Sequence, residues 1–437
     1  MRRFFLCVLS VPLAVAAAVE PTIAVTQTGV SQNPHTGEVT VSYTVSSPAI
    51  VTMDVLTNGV SIGRRHLASA TGDVNCLVDA SETHVLKWVA FGELPEQKPL
   101  KNGQVKIVLT AWPTNAPPDY MVVDLRKAAD LDVPRVRYFV STNDLPYGGL
   151  FATNYFRTTA MVLRRIHAAN RLWMKGEPQW ESGYNMRTKF WAVLDHDYYI
   201  GVFPATQAQW ALVQENAGVT DQAKIWPSNF RNPDYRAMRP VEKVKYSDIR
   251  STKYPAGPQS SSWLGRISSQ TSVSFDLPGD AQWEYACRGD TLDGFWNDGS
   301  PMTKANAGNK FTICPNLPGR YKGNSNSSGA TADSDADSGT SIVGSYRPST
   351  WGLYDMHGNV MEFCLDYQQD NSVIAKWRGA VNANGNNALD GTSGLRFCVR
   401  GGCWQRDAYE EKASQSNGEY ESGAYSVIGF RVVVNLK

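Results

Sequence analysis

The sequence predicts two unlike halves, a β-sandwich followed by a low-helix α+β domain, and three observations carry that division. From Pro21 to about Trp112 apolar residues recur at every second position, the period of a strand with one buried face. Beyond Thr158 that alternation gives way to a few capped helices among short strands and loops rich in Gly, Asn and Ser. Large rings and glycine are plentiful, with 13 Trp, 19 Tyr and 36 Gly, while 19% of residues are charged, a balance that fits tight turns packed on aromatic cores. A chain of 437 residues can bury two sizeable cores.

Taken in order, the first residues read as an export signal. Arg2-Arg3, the apolar run from Phe4 to Val15 and Ala16-Ala17-Ala18 make a charged start, an apolar centre and a small-residue cleavage site, so residues 1–18 are expected to be removed. The run is shorter than the ~20 residues that span a bilayer. No later stretch is long and apolar enough, so no membrane span is expected, and the protein should be periplasmic, cell-surface or secreted. Cys7 lies inside the apolar run, which does not suit a lipoprotein signal. With 42 basic and 41 acidic residues the formal net charge is +1, which gives no electrostatic case for nucleic acid or an anionic membrane. Beyond the signal stand Cys76, Cys287, Cys314, Cys364, Cys398 and Cys403; in an oxidising compartment they can form up to three bridges, and the sequence does not choose among the pairings.

Residues 19–125 are expected to form the sandwich, immunoglobulin-like or fibronectin-like. Val39, Val41, Tyr43 and Val45 alternate with Thr40, Ser42 and Thr44, and Val51, Met53 and Val55 alternate with Thr52 and Asp54. Asn58-Gly59 marks a hairpin turn before Val60 and Ile62. Val105, Ile107 and Leu109 follow an Asn102-Gly103 turn. With no acid pair, nucleophile or metal cluster, this half reads as a spacer or adhesion module. Residues 126–157, with Pro134 and Pro146-Tyr147-Gly148-Gly149, read as a linker, preceded by a short strand at Met121–Leu125.

The second domain is expected at residues 158–437. Thr206 and Gln209 have the spacing of a capping box for a helix running to about Asn216. Asp280 is expected to cap a helix whose Trp283, Ala286 and Cys287 share one face. The stretch around which this half is organised is Trp351 to Asp366, W-G-L-Y-D-M-H-G-N-V-M-E-F-C-L-D. It places Asp355, Asn359 and Glu362 among Trp351, Leu353, Tyr354, Met356, Met361 and Phe363. A buried carboxylate needs a cationic partner or a metal, and a hard ion such as calcium would take these oxygens. The plainer reading is a core turn whose acids are exposed or bonded to backbone amides.

This stretch resembles the G-L-Y-[DN]-M-x-G-N-V-W-E-W segment of the formylglycine-generating enzyme (sulfatase-modifying factor) family. Four further segments agree in order: Tyr198 to Trp210, Arg239-Pro240-Val241, Leu277 to Arg288 (L-P-G-D-A-Q-W-E-Y-A-C-R), and Arg400-Gly401-Gly402 followed by Gly429-Phe430-Arg431-Val432. The resemblance implies an α+β fold related to C-type lectins. It also implies two calcium sites, one at Asp355, Gly358, Val360 and Glu362, the other at Asn306, Ala307, Asp335 and Asp337. As a bare motif, Asp333, Asp335 and Asp337 would be a solvated acidic loop, and Ser338 and Gly344 stand where an EF-hand needs Gly and Glu.

The same resemblance implies a catalytic site that the residues do not supply. Oxygen-dependent members bind copper(I) with two cysteines after the closing glycines, a soft-ligand site suited to that ion. Counted from Gly401-Gly402, those positions hold Arg406 and Glu411. Cys403 stands at the motif's Ser position and is the only candidate nucleophile or copper ligand there, so copper is not expected. Cys398 and Cys403 read as a bridge or as buried thiols. None of the six histidines forms an H-x-x-x-H pair, and His357 beside Asp355 reads as turn chemistry. No G-x-S-x-G, Walker loop or G-x-G-x-x-G is present. The expectation is an exported, calcium-stabilised scaffold for a peptide or glycan; the other reading is a formylglycine-generating oxidase, or a related oxidoreductase, acting on sulfatase cysteines.

Overall fold

The computed structural model describes residues 23–67, 69–90, 105–176, 190–289, 319–325, 339–367 and 396–436. The expected signal at 1–18, the Asn102-Gly103 turn, Cys314, and Asn306, Ala307, Asp333, Asp335 and Asp337 lie outside the described residues. No helix among the described residues is long and apolar enough to cross a membrane.

In the first half the alternation becomes strands β1 (Val25–Gln32), β2 (Glu38–Val45), β3 (Ala49–Thr57), β4 (Val60–Ser61), β5 (Thr71–Gly72), β6 (Cys76–Val78), β7 (His84–Val89) and β8 (Val105–Trp112). One sheet has the order β1-β2-β7-β5; the other has β4-β3-β6, with β8 also paired to β3. Val39, Val41, Tyr43 and Val45 point inward from β2 and meet Val51, Met53 and Val55 of β3 and Leu86 and Trp88 of β7 in one core. Asn58 and Gly59 both take positive φ, 51° and 82°, as the tight turn between β3 and β4 requires.

The crossing between the halves comes earlier in the chain than expected. Tyr120–Asp124 (β9), placed by its sequence at the end of the sandwich, and Val136–Phe139 (β10), placed in the linker, both belong to the second half. They join Ala160–Ile166 (β11), Tyr198–Gly201 (β14) and Val433–Asn435 (β19) in a five-stranded sheet of order β10-β9-β11-β14-β19. Residues 120–124, expected at the end of the sandwich, thus pair with strands of the second half. The reason is burial: β9 is covered along its whole length and is hydrogen-bonded on both edges, by β10 and by β11. A strand buried on both faces has no alternation to read.

That sheet divides two cores. Val122, Val162 and Ile200 face one, while Met121, Val123, Leu163 and Tyr199 face the other. The second half also contains a two-stranded ribbon, β12 (Arg171–Lys175) with β13 (Phe190–Leu194), and a four-stranded sheet. The latter is built from β15 (Met361–Tyr367), β16 (Arg396–Arg400), β17 (Ser416–Tyr420) and β18 (Ile428–Gly429), in the order β17-β16-β15-β18. Helix α1 (Gln207–Asn216) starts with the expected capping box, Thr206 Oγ1 accepting from Gln209 N and Gln209 Oε1 from Thr206 N. Helix α2 (Trp263–Thr271) stacks Trp263 on Trp210 of α1 at 5.8 Å, with the Phe430 ring edge-on to both. Helix α3 (Asp280–Arg288) has Gly279, not Asp280, at its N-cap. Asp280 is instead the first helical residue, its carboxylate drawn into ion pairs inside the domain.

Cys76, Cys287, Cys364, Cys398 and Cys403 are buried free thiols, so no bridge forms among the described cysteines. Cys398 and Cys403 could not pair as placed, because Cys398 belongs to the core beneath α3 and Cys403 to the opposite core with Trp210, Trp263 and Phe430.

Candidate functional site

The motif segments meet in the interior, where they bring together charges. Every residue of α3 is buried, so its acids need partners. The Glu284 carboxylate receives Lys175 Nζ at 3.0 Å, Arg288 Nη2 at 2.8 Å, Arg400 Nη1 at 3.1 Å and the Gly176 amide at 2.7 Å. Asp280 receives Lys175 Nζ at 2.7 Å and Arg400 Nε at 2.6 Å. Burial alone would raise the Glu284 carboxyl, but the three cations outweigh it and hold it well below the usual carboxylate range. A second knot lies beside the first. Arg431 binds Glu362 through Nε and Nη2, each at 2.8 Å, and Trp283 Nε1 donates to the same carboxylate at 2.6 Å. Arg431 also donates to the Gly201 and Tyr354 carbonyls.

Above this interior sits the Trp351–Asn359 turn. Asp355, Gly358 and Asn359 take positive φ, and a Cβ on Gly358 would collide with the Arg320 carbonyl. Asp355 Oδ2 accepts from the Gly344 amide at 2.7 Å, while its Oδ1 is buried without a hydrogen-bond partner. Burial pushes this carboxyl up to about 6, with the Gly344 amide, Arg431 and Asn359 only partly offsetting it. His357 is buried, with Nδ1 2.6 Å from the Glu411 carbonyl and Nε2 3.6 Å from Cys287 Sγ. A nitrogen facing a carbonyl must carry the hydrogen, which leaves Nε2 to accept from the thiol. Burial pushes His357 down to about 4, so its imidazole is neutral at neutral pH.

The implied ion sites can be set against this geometry. Among the described residues no group of three or more His, Cys, Asp or Glu side chains converges as a ligand set. Asp355 fits a cation, because an unpartnered buried carboxylate oxygen calls for one. Glu362 does not fit as an anionic ligand in the same way, since Arg431 already neutralises it and both its oxygens are engaged. Gly358 and Val360 lie between the two acids on the chain.

The closing loop holds no thiol pair among the described residues. Cys403 is buried in the apolar core, and burial pushes its thiol up to about 12. Arg406 is exposed and pairs loosely with Glu410 at 3.4 Å. Glu411 is buried against Gly402 and Gly358, its carbonyl held by His357.

Two features escaped the sequence reading. Lys175 lies outside every quoted segment, and no local pattern marks it as a partner for α3. Glu242 follows directly on Arg239-Pro240-Val241; a charged residue at the end of an apolar Pro-Val step was the available signal. Its Oε1 accepts from the Phe230 amide at 3.1 Å and from the Asn229 amide, its Oε2 is buried without a hydrogen-bond partner, and burial pushes the carboxyl up to about 8.

Fold and interior together define a sulfatase-modifying-factor type of domain, and the comparisons agree. The model of the sulfatase-modifying factor enzyme 1-like domain matches residues 176–436, more than half of the chain, and the chain belongs to that family. It is 26% identical over 249 residues to the serine/threonine-protein kinase pkn1 of Chlamydia pneumoniae, a match covering 56% of this chain and 34% of that protein. The chain thus spans about one third of the length of the curated relatives it matches. Among solved structures it is similar to Treponema denticola variable protein 1, with 20% identity, a TM-score of 0.46, and coverage of 63% of this chain and 95% of that one. PvdO from Pseudomonas aeruginosa gives 19% identity, a TM-score of 0.46, and coverage of 63% and 94%.

Two substitutions test the interior. Glu362→Gln leaves the Arg431 guanidinium buried without its counter-charge and should cost about 3–5 kcal/mol in urea unfolding, whereas Glu362→Leu with Arg431→Met should recover most of the loss. Glu242→Gln has a pH signature. A carboxyl raised from 4.5 to about 8 on folding holds its proton in the native state and loses it first in the unfolded one. Its contribution is therefore full below about pH 4.5 and is lost as pH rises toward 8. The glutamine variant should match the parent near pH 4 and exceed it above pH 8, by on the order of 5 kcal/mol at most.

Proposed function

We propose that this chain is a ligand-binding member of its family that does not convert cysteine to formylglycine. The observation that carries the reading is the placement of Cys403 inside the apolar core, with an exposed Arg406 and a buried Glu411 at the two positions where the resemblance implies copper-binding thiolates. Copper(I) needs at least two soft donors in that loop. Arg406 is a permanent cation and cannot stand in for a thiolate, and Glu411 is a hard oxygen donor. A thiol pushed up to about 12 is also protonated at neutral pH and a poor ligand or nucleophile.

In this reading the protein is exported. The N-terminal two-sheet region is an immunoglobulin-like or fibronectin-like spacer, and the second half is a C-type-lectin-related scaffold whose surface takes a peptide or glycan. Calcium stabilises the Trp351–Asn359 turn, held by Asp355 with the carbonyls of Gly358 and Val360. The unpartnered Asp355 oxygen supports that ion. When bound, it would supply the positive charge that the carboxylate lacks.

Two measurements test the proposal. Incubation of the whole chain with copper, oxygen and a C-x-P-x-R peptide should leave the peptide mass unchanged. Appearance of the aldehyde, abolished by Cys403→Ser, would restore the oxidase reading. For calcium, chelation should lower the melting temperature, because an ion bound only by the folded state stabilises by mass action, and Asp355→Asn should remove the response. A melting curve indifferent to chelator would leave Asp355 as a core-turn acid.

A further inference from the structure

The two halves enclose a groove of about 1070 Å³ that none of the family's motif chemistry explains. One wall comes from the sandwich, through Asp54, Ser61 and His66, and the other from the segment expected as a linker, through Asn143, Asp144 and Phe151. Tyr354, from the middle of the Gly352-Leu353-Tyr354-Asp355 motif, reaches its floor.

The aromatic part is built rather than incidental. Phe151 is 42% exposed. Its ring stands edge-on to Tyr354 at 5.2 Å and to Phe203 at 5.9 Å, and the Arg157 guanidinium lies 5.5 Å from its centroid. The loop carrying it passes through three consecutive residues at positive φ, Tyr147 (58°), Gly148 (81°) and Gly149 (98°). A tyrosine held in that region is strained, and such strain persists only where the surroundings enforce it. Across from the rings, Asp54 Oδ1 accepts from Ser61 Oγ at 2.9 Å, and Asp144 Oδ2 accepts from the Ser141 amide at 2.9 Å. Both carboxylates are thereby fixed in direction.

We infer that this groove binds a neutral oligosaccharide. Sugar rings offer an apolar C–H face, which packs on an exposed aromatic ring, and an edge of hydroxyl donors, which suit oriented carboxylates and amides; a few placed polar groups beside apolar surface are the usual pattern of a ligand site. The volume is at the upper end for a small-ligand site, which gives room for several rings. Two acids among the described lining residues disfavour an anionic ligand. A peptide added as a strand would need a longer edge than β4, which has two residues, Val60 and Ser61. The inference rests on the reading of the chain as a binding scaffold, and it adds the ligand class and the place.

The test is calorimetric titration of the full chain with neutral tetrasaccharides of glucose, mannose and N-acetylglucosamine, with heparin and an extended tetrapeptide as further ligands. At least one neutral sugar should bind, and both Phe151→Ala and Asp144→Asn should weaken it at least tenfold. Phe151 is exposed, so its variant should melt within a few degrees of the parent; a larger drop moves the test to Phe151→Leu, which keeps the bulk and loses the ring face, with the same tenfold loss expected. Binding of heparin or the peptide alone, neutral-sugar binding indifferent to these substitutions, or no binding of any neutral sugar would overturn the proposal. Formation of the peptide aldehyde in the copper assay is a separate result, so loss of the scaffold reading and loss of the sugar site can be told apart.

Discussion

Two buried carboxylates, Glu284 and Glu362, are held inside this domain by cations brought to them from distant parts of the chain. Glu284 on α3 is met by Lys175 from the β12–β13 ribbon and Arg400 from β16, and Glu362 on β15 by Arg431 from the segment leading into β19. Each pair ties an element to one far away in sequence. Taking such charges out of water costs more than a surface pair returns, so removing one partner is far more damaging than replacing both. The arrangement therefore specifies which strands and helices lie side by side, and with few regular helices to set the packing, that specification matters.

The quoted motifs gain a physical meaning from this arrangement. W-E-Y-A-C-R, G-N-V-M-E, R-G-G and G-F-R are the acids, cations and close-packed glycines of one interior. Trp283 is part of it, its indole donating to Glu362 while its ring shares the core beneath α3. A family match carried by such residues reports the scaffold. It says little about what the scaffold does, because the interior can persist while the loop after Gly402 loses or gains thiols.

How much of this could be read from the sequence follows from where the forces act. The N-terminal strands were legible where one face is wet, as in β2 and β7, so Val39, Val41, Tyr43 and Val45 alternate visibly, and the Thr206–Gln209 capping box was legible because both partners lie within one turn. β9 was misplaced because a strand covered on both faces and both edges carries no period. Asp280 has the residue type of a cap, but its carboxylate is claimed by Lys175 and Arg400, partners that local pattern cannot supply. Glu362 looked like an ion ligand for the same reason: an acid among aromatics announces a cation, and the sequence does not say whether that cation is a metal or Arg431.

The same reasoning separates the frame from the surfaces it carries. Paired charges such as Glu284 with Arg400 are committed to holding the interior together, whereas other polar atoms remain without partners and some rings stay exposed. Asp355 Oδ1 and Glu242 Oε2 are buried oxygens without hydrogen-bond partners. Phe151 and Tyr354 stand at the junction of the two halves, Phe151 on a segment whose Pro and Gly residues suggested a passive linker. The positive φ angles at Tyr147, Gly148 and Gly149 turn that segment into a wall. Asp54 and His66 of the N-terminal half complete the lining of a groove that the second half forms only in part.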